Sequence, residues 1–189
     1  MHKKKHIAPP VADEGFSLIE LIIALGLSSI ILSAVISTFV LQKKLYEKQA
    51  YTVEINENIR AGMQIITSEL MMAGHDSTGI AGAKLVSALE NSLRFTADLN
   101  GDGDMSDSGE DIEYALDKKD SQITRDAQPI VENIRELTFK YYSFDGLELT
   151  QPVNADDVKR VEMRIEGEYA GISKKAVAQV ALRNVFRSQ

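Results

Sequence analysis

The 189-residue sequence contains no cysteine, which excludes disulfides, thiolate metal sites and a cysteine nucleophile. Export is not excluded, because an exported chain is free to lack disulfides. Basic residues are in the minority, 21 Lys+Arg against 28 Asp+Glu, for a formal net charge of −7. Such a chain is a poor match for nucleic acid, whose phosphates call for clustered Lys and Arg. Past Gly15 the only histidine is His75, and no Gly-x-Ser-x-Gly element accompanies any serine. Dinucleotide and phosphate-loop motifs are missing, and Gly101-Asp102-Gly103 is too acidic to cradle a phosphate. These absences predict a protein that is not an enzyme and needs no cofactor. What is present, 44% hydrophobic and 26% charged residues, is ordinary for a folded chain. The length suits one domain, or one domain with an appendage.

Charge is also scarce locally. From Phe16 to Leu41 the chain reads FSLIELIIALGLSSIILSAVISTFVL, with no proline and with Glu20 as its single ionisable side chain. A helix of this length measures about 39 Å, more than the ~30 Å hydrocarbon core of a bilayer. Lys3, Lys4 and Lys5 ahead of it favour a cytoplasmic N-terminus, with everything after Leu41 on the far side. A secretory signal would have a shorter apolar stretch followed by its cleavage site. Here the small residue suited to processing, Gly15, comes before the apolar run. Glu20 is expensive in a membrane helix, and such carboxylates usually have a partner. It either snorkels to the interface or, if the chain is cut after Gly15, meets the new α-amino group of Phe16 on a neighbouring subunit.

GFSLIELIIALGLSSIIL resembles the N-terminal signature of type IV pilins and pseudopilins, carried here by Gly15, Phe16, Leu18, Ile19, Glu20 and the apolar run. The resemblance implies cleavage between Gly15 and Phe16 by a prepilin peptidase and N-methylation of Phe16. It also implies that Glu20 neutralises a neighbour's N-terminus during filament assembly. Two departures from the pattern are visible. Asp13 and Glu14 stand where a basic residue is commoner, and the helix-kinking proline of many major pilins is missing.

After Leu41 the chain turns amphipathic without a breaker. Ile55, Ile59, Met63, Ile66 and Leu70 recur on one helical face, and Gly62 lies on or near it. Gly74 and the polar residues after it predict a stop, so one helix is expected from about Phe16 to Ala73. Met71 and Met72 read as core or interface residues. Beyond Gly82 the period becomes two: Leu93 to Leu99, Ile112 to Leu116, Leu137 to Tyr141, Val161 to Ile165, and a final strand at Val180 and Leu182. Ser143-Phe144-Asp145-Gly146 predicts a hairpin turn, and residues 167–175 a polar loop. The expected fold class is α+β, a long N-terminal α-helix packed on a C-terminal antiparallel β-sheet. Its expected divisions are a leader over residues 1–15, a membrane half over 16–41, an amphipathic half over 42–74 and a β-rich domain over 75–189.

Residues 98–117, DLNGDGDMSDSGEDIEYALD, contain many acids and no base. With the leader removed, acidic and basic side chains balance everywhere outside this loop, so the net charge has one location. DLNGDGD matches the start of an EF-hand-type loop, with Asp98, Asn100 and Asp102 at positions 1, 3 and 5 and Gly103 at the sharp turn. Position 12 is Gly109, so Glu110 and Asp111 arrive one and two residues late, and the flanks read as strands. Calcium accepts several oxygens in flexible geometry, which makes Asp98, Asn100, Asp102, Asp104 and Glu110 or Asp111 the candidate calcium ligands. The alternative is a solvated acidic turn with good turn chemistry.

ITSELMMAGHD over residues 66–76, the DLNGDGD stretch and the closing Val180 to Asn184 are similar to PilW-like minor pilins. The resemblance implies a low-abundance subunit that initiates or caps a pilus, with consequences for adhesion or twitching motility. Its partners would be other pilin subunits, major and minor, and the prepilin peptidase. Its expected place is the inner membrane as a single-pass protein with a periplasmic C-terminal domain, and then the pilus. A type II secretion pseudopilin of the tip complex is the nearest alternative. A membrane-anchored extracellular binding module that never polymerises is the alternative from another class.

Overall fold

The structure, a computed structural model, describes residues 15–184. Most of the expected leader, residues 1–14, lies outside the described residues, as do residues 185–189. The chain divides into two compact units, Met1–Glu47 and Lys48–Gln189. One helix, α1 (Leu18–Leu70), begins in the first and ends in the second.

In the first unit the helix follows from a run of Leu, Ile and Ala with no proline to interrupt it. Its apolar side chains are exposed, Leu18 at 76% and Ile30 at 67% among them. Ser29, Ser33, Ser37 and Thr38 each return their hydroxyl proton to a carbonyl three or four residues earlier. That internal bonding lets hydroxyl side chains sit in an apolar helix without an unmet donor. By length and composition α1 is able to cross a membrane.

In the second unit the last turns of α1 bury Ile55, Ile59, Ile66 and Leu70, with Met63 partly buried beside them. This is the face that the sequence period marks. The helix ends at Leu70 and a turn follows over residues 71–74. There the Gly74 N–H donates to Thr96 O at 2.9 Å. Met71 and Met72 are not core: they are exposed on this turn, while Ala73, three residues after Leu70, is the one that is buried.

The architecture is α+β and pilin-like, with the helix packed on antiparallel sheet. Where the sequence predicts one sheet, the structure has two. β1 (Leu85–Ala88), β2 (Ser92–Thr96), β3 (Asp111–Asp117), β4 (Gln122–Arg125) and β5 (Gln128–Val131) form a meander in sequence order. β6 (Ile134–Tyr142), β7 (Glu148–Leu149), β8 (Arg160–Tyr169) and β9 (Ile172–Ala181) form a second sheet in the order β7-β6-β8-β9. The strands β1, β4, β5 and β7 carry no long alternation and are not visible in the period-two pattern. The expected turn at Ser143–Gly146 joins β6 to β7, closed by the Ser143 N–H on Leu147 O at 2.9 Å.

Two other expectations are corrected. Residues 167–175 are not a polar loop; β8 and β9 pair continuously down to Tyr169↔Ile172. The turn consists of Ala170 and Gly171 alone, both with positive φ, the pattern of a two-residue hairpin turn. The polar residues of this stretch belong to the solvated face and to the exposed edge of β9, where lysines discourage further strand pairing. β2, in turn, stops at Thr96 instead of alternating to Leu99. From Phe95 onward Thr96, Ala97 and Asp98 are all buried, and Leu99 is 45% exposed.

Both sheets meet α1 at Gly62. A side chain there would touch Ile165 of β8, Val131 of β5 and Ile123 of β4, the nearest at 3.2 Å from a built Cβ. Gly167 of β8 does the reverse service, opening room for Ile55 of α1. The absent side chains let helix and strands pack closely at these two positions.

Candidate functional site

The N-terminal site is built from the first turn of α1. Ser17 stands just ahead of the helix and Glu20 occupies its third position. The Ser17 N–H and hydroxyl both donate to Glu20 Oε2, at 2.8 and 3.0 Å, while the Glu20 N–H donates to Ser17 Oγ at 3.3 Å. This is a capping box: two free N–H groups of the helix start are satisfied reciprocally, and the carboxylate lies at the positive end of the helix dipole. The spacing Ser-x-x-Glu ahead of an apolar run is the sequence signal for it, and Ser17 is the residue that the reading of Glu20 alone passes over. Glu20 Oε1 makes no hydrogen bond among the described residues. Phe16, next to Ser17, is 91% exposed. Gly15 and Phe16 precede the helix in non-helical chain. A new amino group made by cleavage between them would belong to the residue adjoining Ser17, close in sequence to the capped carboxylate.

The acidic loop joins β2 to β3 in the second unit. Asp98 is fully buried at its root, its Oδ1 accepting the Gly101 N–H at 2.6 Å and its Oδ2 the Gly103 N–H at 3.2 Å. Glu110, 2% exposed, closes the loop from the other side. Its Oε1 accepts the N–H groups of Leu99 and Asn100, at 2.9 and 3.4 Å. The Asn100 amide nitrogen donates to Asp102 Oδ2 at 3.0 Å and to Asp107 Oδ2 at 2.6 Å. Hydrogen bonds thus join the side chains of Asn100, Asp102 and Asp107, the last of which the sequence reading left out of the ligand set, while the Asp98 and Glu110 carboxylates are tied only to backbone N–H groups of the loop.

Two other candidates are engaged elsewhere. Asp104 caps Ser106, accepting both its N–H and its hydroxyl at 2.8 Å, and these bonds hold its carboxyl below the usual range. Asp111 points out of the loop to Arg94, with a two-point contact at 2.8 and 2.5 Å. The Arg94 hydrogen bond keeps the Asp111 carboxyl ionised below its usual value. Among the described residues, no three Asp, Glu or His side chains stand grouped so as to hold a metal ion.

A groove of ≈ 550 Å³ lies along Val53, Asn56, Ile59, Arg60 and Met63 of α1 and Lys175 and Ala176 of β9. Glu57 lines it as well.

Comparison with known proteins bears on the N-terminal site. Residues 12–36 match the model of the prokaryotic N-terminal methylation motif. No curated protein matches the chain. The match spans Gly15, Phe16, Ser17 and Glu20 as well as the apolar start of α1. Such a motif implies processing by a prepilin peptidase and assembly with other pilins, and it points to a structural subunit rather than an enzyme. Together with the exposed apolar helix it fits a membrane-anchored protein. The chain thus carries the prokaryotic N-terminal methylation motif, and that motif supports a place for it among type IV pilins and pseudopilins.

Proposed function

We propose that the protein is a minor pilin of a type IV pilus, a subunit of the assembly that initiates the filament or forms its tip, and that it serves adhesion or twitching motility in that way. The reading divides the mature chain into a membrane half over residues 16–41, an amphipathic half over 42–74 and a β-rich domain. Cleavage between Gly15 and Phe16 and methylation of the Phe16 nitrogen precede assembly.

One observation carries the proposal. Glu20 is the single ionisable side chain of the apolar run Phe16 to Leu41, whose helical surface is exposed, and one of its oxygens is left open within the first helical turn. A carboxylate in that setting needs a cation once it enters the membrane or a filament core. The amino group of Phe16 on a neighbouring subunit supplies one, and the pairing fixes the axial register between subunits. Before assembly the bilayer covers the apolar surface; in the filament other pilins do.

The test replaces Glu20 by Ala in the gene and compares the strain with a deletion strain. The expected result is that the variant accumulates in the membrane to normal levels while surface pili fall in number as they do in the deletion. Normal pili in the deletion strain together with lost protein secretion would move the protein to a type II secretion tip complex. Normal pili and normal secretion in both strains would leave an anchored binding module that does not polymerise.

A further inference from the structure

We propose that Asn100 is a site of self-modification: in the folded protein its side chain deamidates through a cyclic imide formed with the Gly101 nitrogen, whose proton passes to Asp98. This holds whether or not the protein enters a pilus. Of the seven asparagines in the sequence, Asn100 alone is followed by glycine. A residue without a Cβ leaves its nitrogen open to approach from the preceding side chain. Asn100 is exposed on the loop between β2 and β3, and Gly101 turns the chain there with a φ of 78°.

The surrounding contacts arrange the reacting groups. Asn100 Oδ1 accepts the Asp102 N–H at 2.9 Å, which turns the side chain forward over the Gly101 peptide. The same N–H stays on that oxygen as it gains charge during attack on its carbon. The Gly101 N–H, which carries the proton to be removed, donates to Asp98 Oδ1 at 2.6 Å. That distance is within the reach required of a general base. Asp98 is fully buried, so bulk water does not compete for it. The leaving nitrogen, Asn100 Nδ2, is held apart from this pair by Asp102 and Asp107.

The Gly101 nitrogen bonds to Asn100 Cγ as its proton moves to Asp98. The Cγ–Nδ2 bond then breaks, and the proton leaves Asp98 with the nitrogen as ammonia. Water opens the imide on either side. One opening gives aspartate at position 100, and the other gives isoaspartate, with the main chain running through the former side-chain carbon. Nothing is oxidised or reduced, and water is the sole co-reactant. Either product removes the amide that bonds Asp102 and Asp107 and sets a further carboxylate beside them, in a stretch without Lys or Arg. Isoaspartate also lengthens the main chain ahead of Gly101 and displaces an N–H that holds the buried Asp98. The converted loop is therefore less stable than the original one.

The full chain in detergent micelles is kept at neutral pH for several days, with a second sample in guanidinium chloride. Trypsin cuts after Arg94 and Lys118, so the peptide over residues 95–118 carries Asn100 and no other side-chain amide. In the folded sample this peptide should gain the mass difference between a hydroxyl and an amino group, with fragment ions placing the gain at residue 100. Peptides that carry Asn133 and Asn154 should keep their mass, and the converted protein should show a lower Tm. Asp98→Asn should slow the folded-state conversion at least about tenfold, a small part of what a positioned base can contribute. Asp120→Asn, an acid removed outside the loop, should convert as the parent does. Asp98 is buried, and should Asp98→Asn fail to fold, the two parent samples decide. Conversion in the folded chain supports the proposal; conversion confined to the denatured chain overturns it. A folded Asp98→Asn variant that converts as fast as the parent overturns it as well.

Discussion

The phenol of Tyr114 in β3 donates to the Glu69 carboxylate of α1 at 2.5 Å, and Arg125 of β4 donates to the same carboxylate at 2.9 Å. Glu69 stands next to Leu70, the last residue of the helix's apolar face. In the fold it is the acceptor that allows a wholly buried tyrosine to keep its hydroxyl bonded. Replacing Glu69 by Ala strands both donors, and about 1–3 kcal/mol of stability should be lost. Tyr114→Phe removes one donor and leaves the Arg125 pair, so about 1 kcal/mol or less is expected. Urea unfolding of the full chain in detergent gives both values; equal losses would show that Tyr114 needs no acceptor.

The same contact sets a dependence on alkaline pH. Burial, with the Glu69 carboxylate alongside, pushes the Tyr114 phenol well above the ordinary tyrosine range, and burial does the same to Tyr141. A group whose folded pKa is raised contributes its full stability below its unfolded value, near 10, and the contribution falls away as pH rises toward the folded value. Spectrophotometric titration should therefore find Tyr114 and Tyr141 still un-ionised above pH ~10, the ordinary tyrosine value. The Tyr114→Phe variant should lose less stability than the parent above pH ~10. Six tyrosines titrating together in the folded protein would contradict this.

At the acid end the relevant pair is Asp111 and Arg94. The Arg94 hydrogen bond lowers the Asp111 pKa, so the pair stabilises the fold above the ordinary aspartate value and the effect fades as pH falls through the lowered one. Both side chains are partly solvated, so salt should screen the effect. Arg94→Gln should flatten the drop in Tm below pH ~4, by less than the effect of Glu69→Ala at neutral pH.

Gly62 tests the packing of helix on sheet. A methyl group at this position meets Ile165 at 3.2 Å and needs only a small adjustment, while alanine favours the helix by about 1 kcal/mol. Gly62→Ala should therefore unfold within about 1 kcal/mol of the parent. Gly62→Leu has no space against Ile123, Val131 and Ile165 and should cost about 1–3 kcal/mol or more. A leucine variant as stable as the parent would mean that the helix does not press on both sheets here.

Processing at Gly15 is open to mass measurement. The membrane-extracted protein should begin at Phe16 with one methyl group on its nitrogen, and Gly15→Leu should leave the leader attached. An intact Met1 in the parent protein would remove the processing step from the proposed function.

The sequence is most legible where a pattern is local. The membrane-length run needs only composition. The amphipathic half of α1 needs only a spacing of three and four, and residues such as Ile55 and Leu70 are buried as that spacing predicts. β3, β6 and β8 are half-buried strands long enough to alternate. β4 and β5 are short and joined by Asp126 and Ala127, both with positive φ, without the Asn-Gly or Asp-Gly signal of such turns. They pair with neighbours in sequence, β4 with β3 and β5 with β4, but each is too short to show an alternation of its own.

The acidic loop divides in the same way. Its charge and its resemblance to a calcium loop are properties of residues 98–117 alone. Alternation places Asp98 on a solvated face, yet it is buried, because the Gly101 and Gly103 N–H groups fold back onto it. Only the pairing of β2 with β3 brings Glu110 back against Leu99 and Asn100 and sends Asp111, one residue later, outward to Arg94. Adjacent strand residues face opposite ways, so a one-residue difference in register decides which carboxylate enters the loop. What the sequence determined by itself, then, was the apolar helix with its single carboxylate and the location of the net charge, since both depend on neighbours within a few residues. The burial of Glu110 and the close seat of α1 at Gly62 were decided only by tertiary structure, because each depends on side chains brought together from distant parts of the chain.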